Sequence, residues 1–486
     1  MIAAGQAPAG VTTAALGNVS LNPTNPFLLL DVVRARDFRL DTSGEFTTTR
    51  TESFYIQEDW KATRNLQVNL GFRWDFQQAY SLGGDTYLNL NDFVSNTQPR
   101  IGFSWDFLGE GTSKFFANYA RFLETPIPLD INVRAGGADV QADYNSNVSR
   151  LNGAPGAEVL AFLGNLGGTA TPIDPGLKPQ TVDEFTAGLE WGPRSMRDLT
   201  FGVRGIYRAQ DEVIEDGSFD DGNTYFLFNP GRRGNGNFTT TEDLACSDAA
   251  IGCFGPARRY YRALELTATK RFSNNYQFIA SYVFSSLIGN YEGLFRNDNG
   301  QSDPNITSLF DLVTLLQGMY GRLPNDRPHQ FKFDGSYQWP FKLMTSASFR
   351  AQSGVPFNAL IPHPVYLDNE GFCQDLSLPP LNSPLGFVCN PRGTAINPVT
   401  GRSRTATTYN LDLGAYYPIS LGENKQLRLQ LDWFNVLNHQ RPIKEDETFL
   451  LTSGSPGIPP VPNPFHGTGT IFQFPSALRL GVKFQF

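Results

Sequence analysis

At 486 residues the chain is longer than one soluble hydrophobic core usually grows, which leaves several domains, a repeat array, or a barrel whose perimeter scales with strand number. Hydrophobic residues make up 40% and charged residues 18% of it, a balance that excludes wholesale disorder. The formal net charge of −8 excludes a broad phosphate-collecting face and so a general nucleic-acid binder; ordinary solubility accounts for the acidity.

No run of 18 apolar residues occurs in the sequence, so a spanning helix is excluded. Within lipid the other way to satisfy every backbone group is a closed barrel of strands. Phe is abundant (39) and Met scarce (4), a bias that suits pleated surfaces and membrane interfaces better than helical bundles.

Residues 1–53 read as an irregular segment, with Phe27–Val33 expected as a short helix in a loop and, as the alternative, a fourteenth strand. The opening MIAAGQAPAG lacks the basic and apolar regions of a secretory signal. A strand is expected near Phe54, and a clear one follows from Leu66. There Leu66, Val68, Leu70, Phe72, Trp74 and Phe76 alternate with Gln67, Asn69, Gly71, Arg73, Asp75 and Gln77. A helix would scatter these two sets, whereas a strand places each on its own face. Further strands are expected near Ile101, Phe115, Phe185, Leu199, Leu264, Tyr276, Phe331, Leu343, Leu411, Leu427 and Leu478, roughly thirteen in all, of the long alternating kind that spans an outer membrane.

Their connections alternate in length. Short turns fall at Thr63–Asn65, Leu108–Ser113, Gly192–Asp198, Phe272–Asn275, Pro340–Lys342 and Ser420–Lys425. Long segments fall at Leu123–Gln180, Asp211–Arg258, Gly289–Asp326, Gly354–Arg404 and Asn438–Gly469. Compact soluble domains rarely carry so many long loops. Outer-membrane barrels do, with short periplasmic turns and long extracellular loops. Aromatics gather at strand ends, at Trp60, Trp74, Phe76, Trp105, Phe107, Trp191, Tyr337, Trp339, Trp433 and Phe434, as a girdle at the lipid boundary requires. A soluble β-sandwich also alternates, but it needs neither the loop rhythm nor strands of this length.

The four cysteines form two local pairs, Cys246 with Cys253 and Cys373 with Cys389, both in the long segments. Their Gly/Pro/Asn-rich surroundings suit loop disulfides in an oxidising compartment. A four-cysteine zinc site is the alternative, and no CxxC spacing supports it.

Several stretches resemble TonB-dependent outer-membrane receptors, in particular their Oar-like group. They are FYIQEDWKATRNLQVNLGFRWDF (Phe54–Phe76), PRIGFSWDFLGEGTSKFFANYARF (Pro99–Phe122), DRPHQFKFDGSYQWPF (Asp326–Phe341), QSGVPFN (Gln352–Asn358) and LDWFNVLNHQRP (Leu431–Pro442). The closing SALRLGVKFQF is similar to the terminal strand read by the barrel-assembly machinery, which makes Phe486 the candidate assembly signal. The resemblance implies a transmembrane antiparallel barrel of 22 strands around an N-terminal plug, importing scarce ligands with energy passed through a TonB box. The sequence departs from that pattern, since residues 54–486 supply the later strands and residues 1–53 are too few for a plug. Engagement of a TonB complex is therefore expected only if a plug lies upstream.

Sites of other chemistry are sparse. His329, His363, His439 and His466 are scattered and make no HExxH spacing. No GxSxG elbow and no P-loop occur, so neither an enzyme nor a cofactor is expected. GRRGNGN (Gly231–Asn237) reads as an exposed loop, because it lacks the strand-then-helix setting of a phosphate cradle. RNDNGQSDPN (Arg296–Asn305) is rich in oxygen ligands, but it lacks the closing Glu of a calcium loop and reads as a solvated turn.

The polar set of the alternation would line the lumen: Arg73, Asp75, Arg204, Lys332, Asp334, Arg350, Arg428 and Asp432, with Arg479 and Lys483 beside them. These residues either meet a plug or solute, or simply hydrate and pair along the wall. Ligand choice is expected in the long loops. Three functions follow: the barrel of a receptor-transporter in a Gram-negative outer membrane, taking a small-molecule, glycan or peptide ligand; a plugless passive pore; or an adhesive surface protein. The partners expected are outer-membrane lipid and the assembly machinery, and no nucleic acid.

Overall fold

The computed structural model describes residues 35–40, 48–80, 84, 86–125, 139–146, 158–166, 173–174, 176–196, 198–218, 226–231, 254–293, 295–296, 298–299, 307–362, 369–377, 382–422, 425–454 and 457–486. The chain forms two compact units. The smaller takes residues 1–51, 77–91 and 125–173. It holds a three-stranded antiparallel sheet of Ala35–Leu40, Asp139–Ser146 and Glu158–Leu166, together with the short strand Thr86–Leu90, paired to residues 77–80. The expected helix at Phe27–Val33 lies outside the described residues.

The larger unit is dominated by one antiparallel sheet whose main path has thirteen strands in sequence order. They are β1 (Thr48–Lys61), β2 (Leu66–Tyr80), β3 (Thr97–Trp105), β4 (Ser113–Leu123), β5 (Thr181–Trp191), β6 (Leu199–Glu212), β7 (Arg259–Ser273), β8 (Tyr276–Gly289), β9 (His329–Gln338), β10 (Met344–Gln352), β11 (Thr408–Gly422), β12 (Lys425–Phe434) and β13 (Ala477–Gln485). Each expected strand is among them, and each pairs with the next. This is a meander that needs only local connections.

Register follows the alternation. Leu66 faces Trp105, Ser113 faces Trp191, and Tyr276 faces Tyr337. One sheet face collects the apolar side chains, and that face is open. Leu70 and Phe72 are each 42% exposed, Leu264 is 45% and Phe284 is 52% exposed. A soluble sheet would bury these residues first, so an exposed apolar face this extensive belongs against lipid. Three of the girdle indoles have their polar atom satisfied. The indole N–H groups of Trp74, Trp339 and Trp433 donate to the hydroxyls of Thr97, Thr345 and Ser476, which suits rings with one apolar and one wet end.

The short turns close where expected. Asn274 and Asn275 both take positive φ between β7 and β8, as a tight hairpin requires. The buried core lies elsewhere, in the long connections. Val213, Phe226, Phe228, Phe254 and Ala257 from one connection pack with Tyr291, Leu309, Phe310 and Met319 from the next and with Leu360 and Phe372 from a third. A fourth joins through Leu360, whose N–H donates to Glu447 O (2.8 Å) and whose carbonyl accepts from Phe449 N (2.8 Å). The last four long connections therefore fold together as a cap on one end of the sheet.

Candidate functional site: a paired polar wall beneath a folded cap

The polar face of the sheet is an array of ion pairs between neighbouring strands. Arg350 on β10 holds Asp334 on β9 through Nη2, at 3.0 and 2.7 Å from the two carboxylate oxygens. Arg479 on β13 holds Asp432 on β12 (2.8 Å). Arg204 on β6 pairs with Glu265 on β7, and Arg208 on β6 with Glu184 on β5. Lys114 on β4 reaches Glu190 on β5 at 3.5 Å. The spacing follows from the sheet, since residues on one face that are directly opposed, or diagonal as Arg350 and Asp334 are, stand close enough for long side chains of opposite charge to meet.

Of the expected lumen residues, Arg73 and Asp75 pair along a single strand (2.8 Å). Asp75 is the most enclosed of the set, also accepting from Ser53 Oγ and Gln98 Nε2, both at 2.5 Å. Arg428 lies over the Tyr416 ring at 4.6 Å. Lys332 faces Arg350 across the ladder, two like charges opposed, with Asp334 bound to the arginine. The structure thus brings Asp334 with Arg350 and Arg73 with Asp75, while Arg204 and Asp432 find partners on strands 6–7 and 12–13. Next to these pairs, a concavity of about 510 Å³ is bounded by Asp334, Ser346, Ser348, Asp412, Gly414 and Asp432.

Above this wall the cap holds a different kind of charge. Arg296 is 0% exposed and Arg392 1%. Arg296 donates to Asp298 Oδ1 (2.7 Å), Ser308 Oγ (2.9 Å) and the Glu370 carbonyl (2.7 Å). Arg392 meets Glu292 at 2.6 Å and stacks over Phe372, its guanidinium carbon 4.7 Å from the ring centre. Two cationic side chains and the carboxylates of Glu292, Asp298 and Glu370 thus close on one another inside an apolar surround. Burial draws the Asp298 carboxyl toward its neutral form, and the charges of Arg296 and Arg392 outweigh that and keep it ionised. Nearby, Glu447 is half-buried and accepts from Asn358 N at 2.9 Å. Desolvation first, and then the charges of Asp298 and Glu292, push its carboxyl up to about 8.

The run expected to be a solvated turn is here corrected. Arg296 and Asp298 of RNDNGQSDPN are fully enclosed, because ion pairing and the Phe372 face give them in the interior what water would give outside. The Cys373–Cys389 disulfide is formed and joins the paired strands Cys373–Asp375 and Phe387–Cys389 at the cap's edge. Cys246 and Cys253 lie outside the described residues, as does GRRGNGN apart from Gly231. Of the histidines, His329 bonds Tyr282 (2.7 Å), His439 packs on Tyr409, and His466 sits between Phe357 and Phe449. His363 lies outside the described residues. No three carboxylate, histidine or cysteine groups among the described residues converge as a metal site would.

Residues 12–436 match the family of TonB dependent receptor-like β-barrels. The chain belongs to that family. The TonB-dependent transporter Oar of Myxococcus xanthus is 32% identical over 449 residues, covering 86% of this chain but 38% of its own length. Among solved structures, the ferripyoverdine receptor of Pseudomonas aeruginosa is 11% identical with a TM-score of 0.47, covering 90% of this chain and 39% of that one. The FrpB iron transporter of Neisseria meningitidis is 12% identical with a TM-score of 0.48, covering 90% and 46%.

As a TonB-dependent receptor barrel the chain is a Gram-negative outer-membrane protein, and its open apolar face is the lipid face. The curated relative it matches is a transporter. The chain spans about two fifths of the Oar transporter's length. What the period-2 reading missed is the cap. Its signal was present in the aromatics scattered through the long connections, Phe226, Phe228, Phe254, Tyr291, Phe310, Phe357 and Phe372, which are too many for loops that stay in water.

Proposed function

We propose that this chain, with residues 54–486 as its wall, is the barrel portion of a receptor that captures a ligand at the cell surface and passes it inward. The supporting observation is the arrangement itself, in which a buried, charge-locked cap stands over a polar wall most of whose charges are paired. Recognition belongs to the cap, which presents rigid backbone over the lumen. The wall residues Arg73, Asp75, Arg204, Asp334, Arg350 and Asp432 are held in ion pairs, and with Lys332 and Arg428 they form a hydrated surface against which a plug can move while few charges stand bare. Phe486, 90% exposed beside Phe484, serves as the assembly signal. Where a plug lies upstream, release of the ligand is driven through a TonB complex acting on it.

The folded cap also favours a second reading, adhesion without transport, because a fixed protein surface can bind another protein. Uptake of labelled candidate ligands (ferric siderophore, oligosaccharide, peptide) by cells with and without an inner-membrane proton gradient tests both. Gradient-dependent uptake supports the receptor. Uptake that survives collapse of the gradient makes the chain a passive pore, and surface binding with no uptake makes it an adhesin.

A further inference from the structure

On the lipid face the ladder places four strands in strict rows. Phe185 faces Tyr207, Tyr207 faces Arg262, and Arg262 faces Ser286. One row nearer the periplasmic turns, Ala187 faces Gly205, Gly205 faces Leu264, and Leu264 faces Phe284. Ala187 and Gly205 are thus the small members of an otherwise bulky surface, and a groove of about 480 Å³ opens there, its walls made by Phe185, Tyr207, Leu264 and Phe284. A Cβ on Gly205 would meet nothing closer than Ala187 O at 3.8 Å, so the gap is real space and not a close approach of backbones.

The end of the groove toward the cap is polar. Arg262 is exposed, lies over the Tyr207 ring at 5.7 Å, and makes no ion pair among the described residues. That sets it apart from Arg121, which is bound by Asp183 on the same face (2.8 and 2.9 Å), and from the paired arginines of the wall. Tyr119 also donates to Asp183 (2.9 Å), so this height is where the lipid face turns from apolar to charged. The long connections mark this as the outward-facing half of the barrel, whose surrounding leaflet carries phosphorylated glycolipid. An apolar slot ending in an uncompensated guanidinium complements an acyl chain that ends in a phosphate.

We propose that this groove is a binding site for one lipid A molecule of the outer leaflet, with an acyl chain laid over Ala187 and Gly205 and a sugar phosphate held by Arg262 and the Ser286 hydroxyl. The inference rests on the chain being an outer-membrane barrel and is independent of what the receptor imports.

The test is native mass spectrometry of the full chain in detergent, titrated with bis-phosphorylated lipid A, with dephosphorylated lipid A, or with phosphatidylglycerol. The folded state is checked by gel mobility before and after heating. The expected result is one retained bis-phosphorylated lipid A, with weaker retention of the other two lipids. Arg262→Gln removes a charge-assisted contact at an exposed position and should weaken retention about tenfold. Gly205→Leu should fill the slot and weaken it comparably while leaving the arginine in place. Equal retention by wild type and a folded Arg262→Gln overturns the proposal, as does equal retention of the dephosphorylated lipid. Preferred retention of phosphatidylglycerol overturns the choice of lipid A.

Discussion

The sheet wall and the cap use the same ion-pairing residues under opposite conditions. On the wall, Arg350 and Asp334 are 42% and 49% exposed, and water shares in solvating both. In the cap, Arg296 and Asp298 are both 0% exposed, and each is the other's solvent. Exposed pairs contribute little to stability, whereas breaking a buried pair strands a charge in a medium that cannot hydrate it. Wall pairs therefore adjust the surface of a structure already fixed by its ladders, and the cap cluster decides whether the loops fold as one body.

The largest expected effect comes from removing the cap's central cation. Arg296→Ala takes from Asp298 its nearest cation and from the Glu370 carbonyl the guanidinium it accepts from. It should cost the cap about 3–5 kcal/mol, read as loss of hydrogen-exchange protection over 307–318 with gel mobility of the barrel unchanged. If protection survives, the cap is held by its aromatic core and the contrast with the wall fails.

Removing the disulfide comes next. Replacing both Cys373 and Cys389 with Ser frees a 16-residue separation, for which chain entropy predicts about 3 kcal/mol. Limited proteolysis of the cap should speed up to the same degree in wild type with reductant and in the double variant without it.

A smaller effect is tied to pH. Glu447 titrates at about 8 in the folded cap against its ordinary 4.5, so folding favours the protonated form. The stability it lends is complete below pH 4.5 and is lost as pH rises through about 8. Exchange protection around 447–450 should fall across that window in wild type and stay level in Glu447→Gln. The smallest effect is on the wall, where Arg350→Gln should shift the barrel's unfolding in urea by no more than about 1 kcal/mol.

How far each region could be read from sequence follows from the same contrast. Strands such as Leu66–Tyr80 announce themselves because one residue in two must face lipid, and that demand is local and periodic. The cap obeys no period. Phe228, Tyr291, Phe310 and Phe372 meet across three connections, and nothing near Arg296 in sequence says that Glu370, 74 residues on, will close over it. RNDNGQSDPN looks like a hydrated turn for just this reason, since its partners are distant. The wall's charges were legible as a facing set, while their pairing required the register, because Arg479 finds Asp432 only once β12 and β13 are aligned.

The shared core of the cap also bears on how such a protein can change over generations. Segments that stood apart could be exchanged singly between strains, each swap altering recognition in one place. Here a recombinant carrying a foreign 289–326 segment would set unfamiliar side chains against Phe228, Phe372 and Arg392, and lose the whole surface together. Diversification at this cell surface should therefore proceed by inheritance of all four connections as a block, or by point changes confined to their outermost residues. An antibody or phage that recognises the surface should likewise require the assembled cap and ignore any one of its peptides.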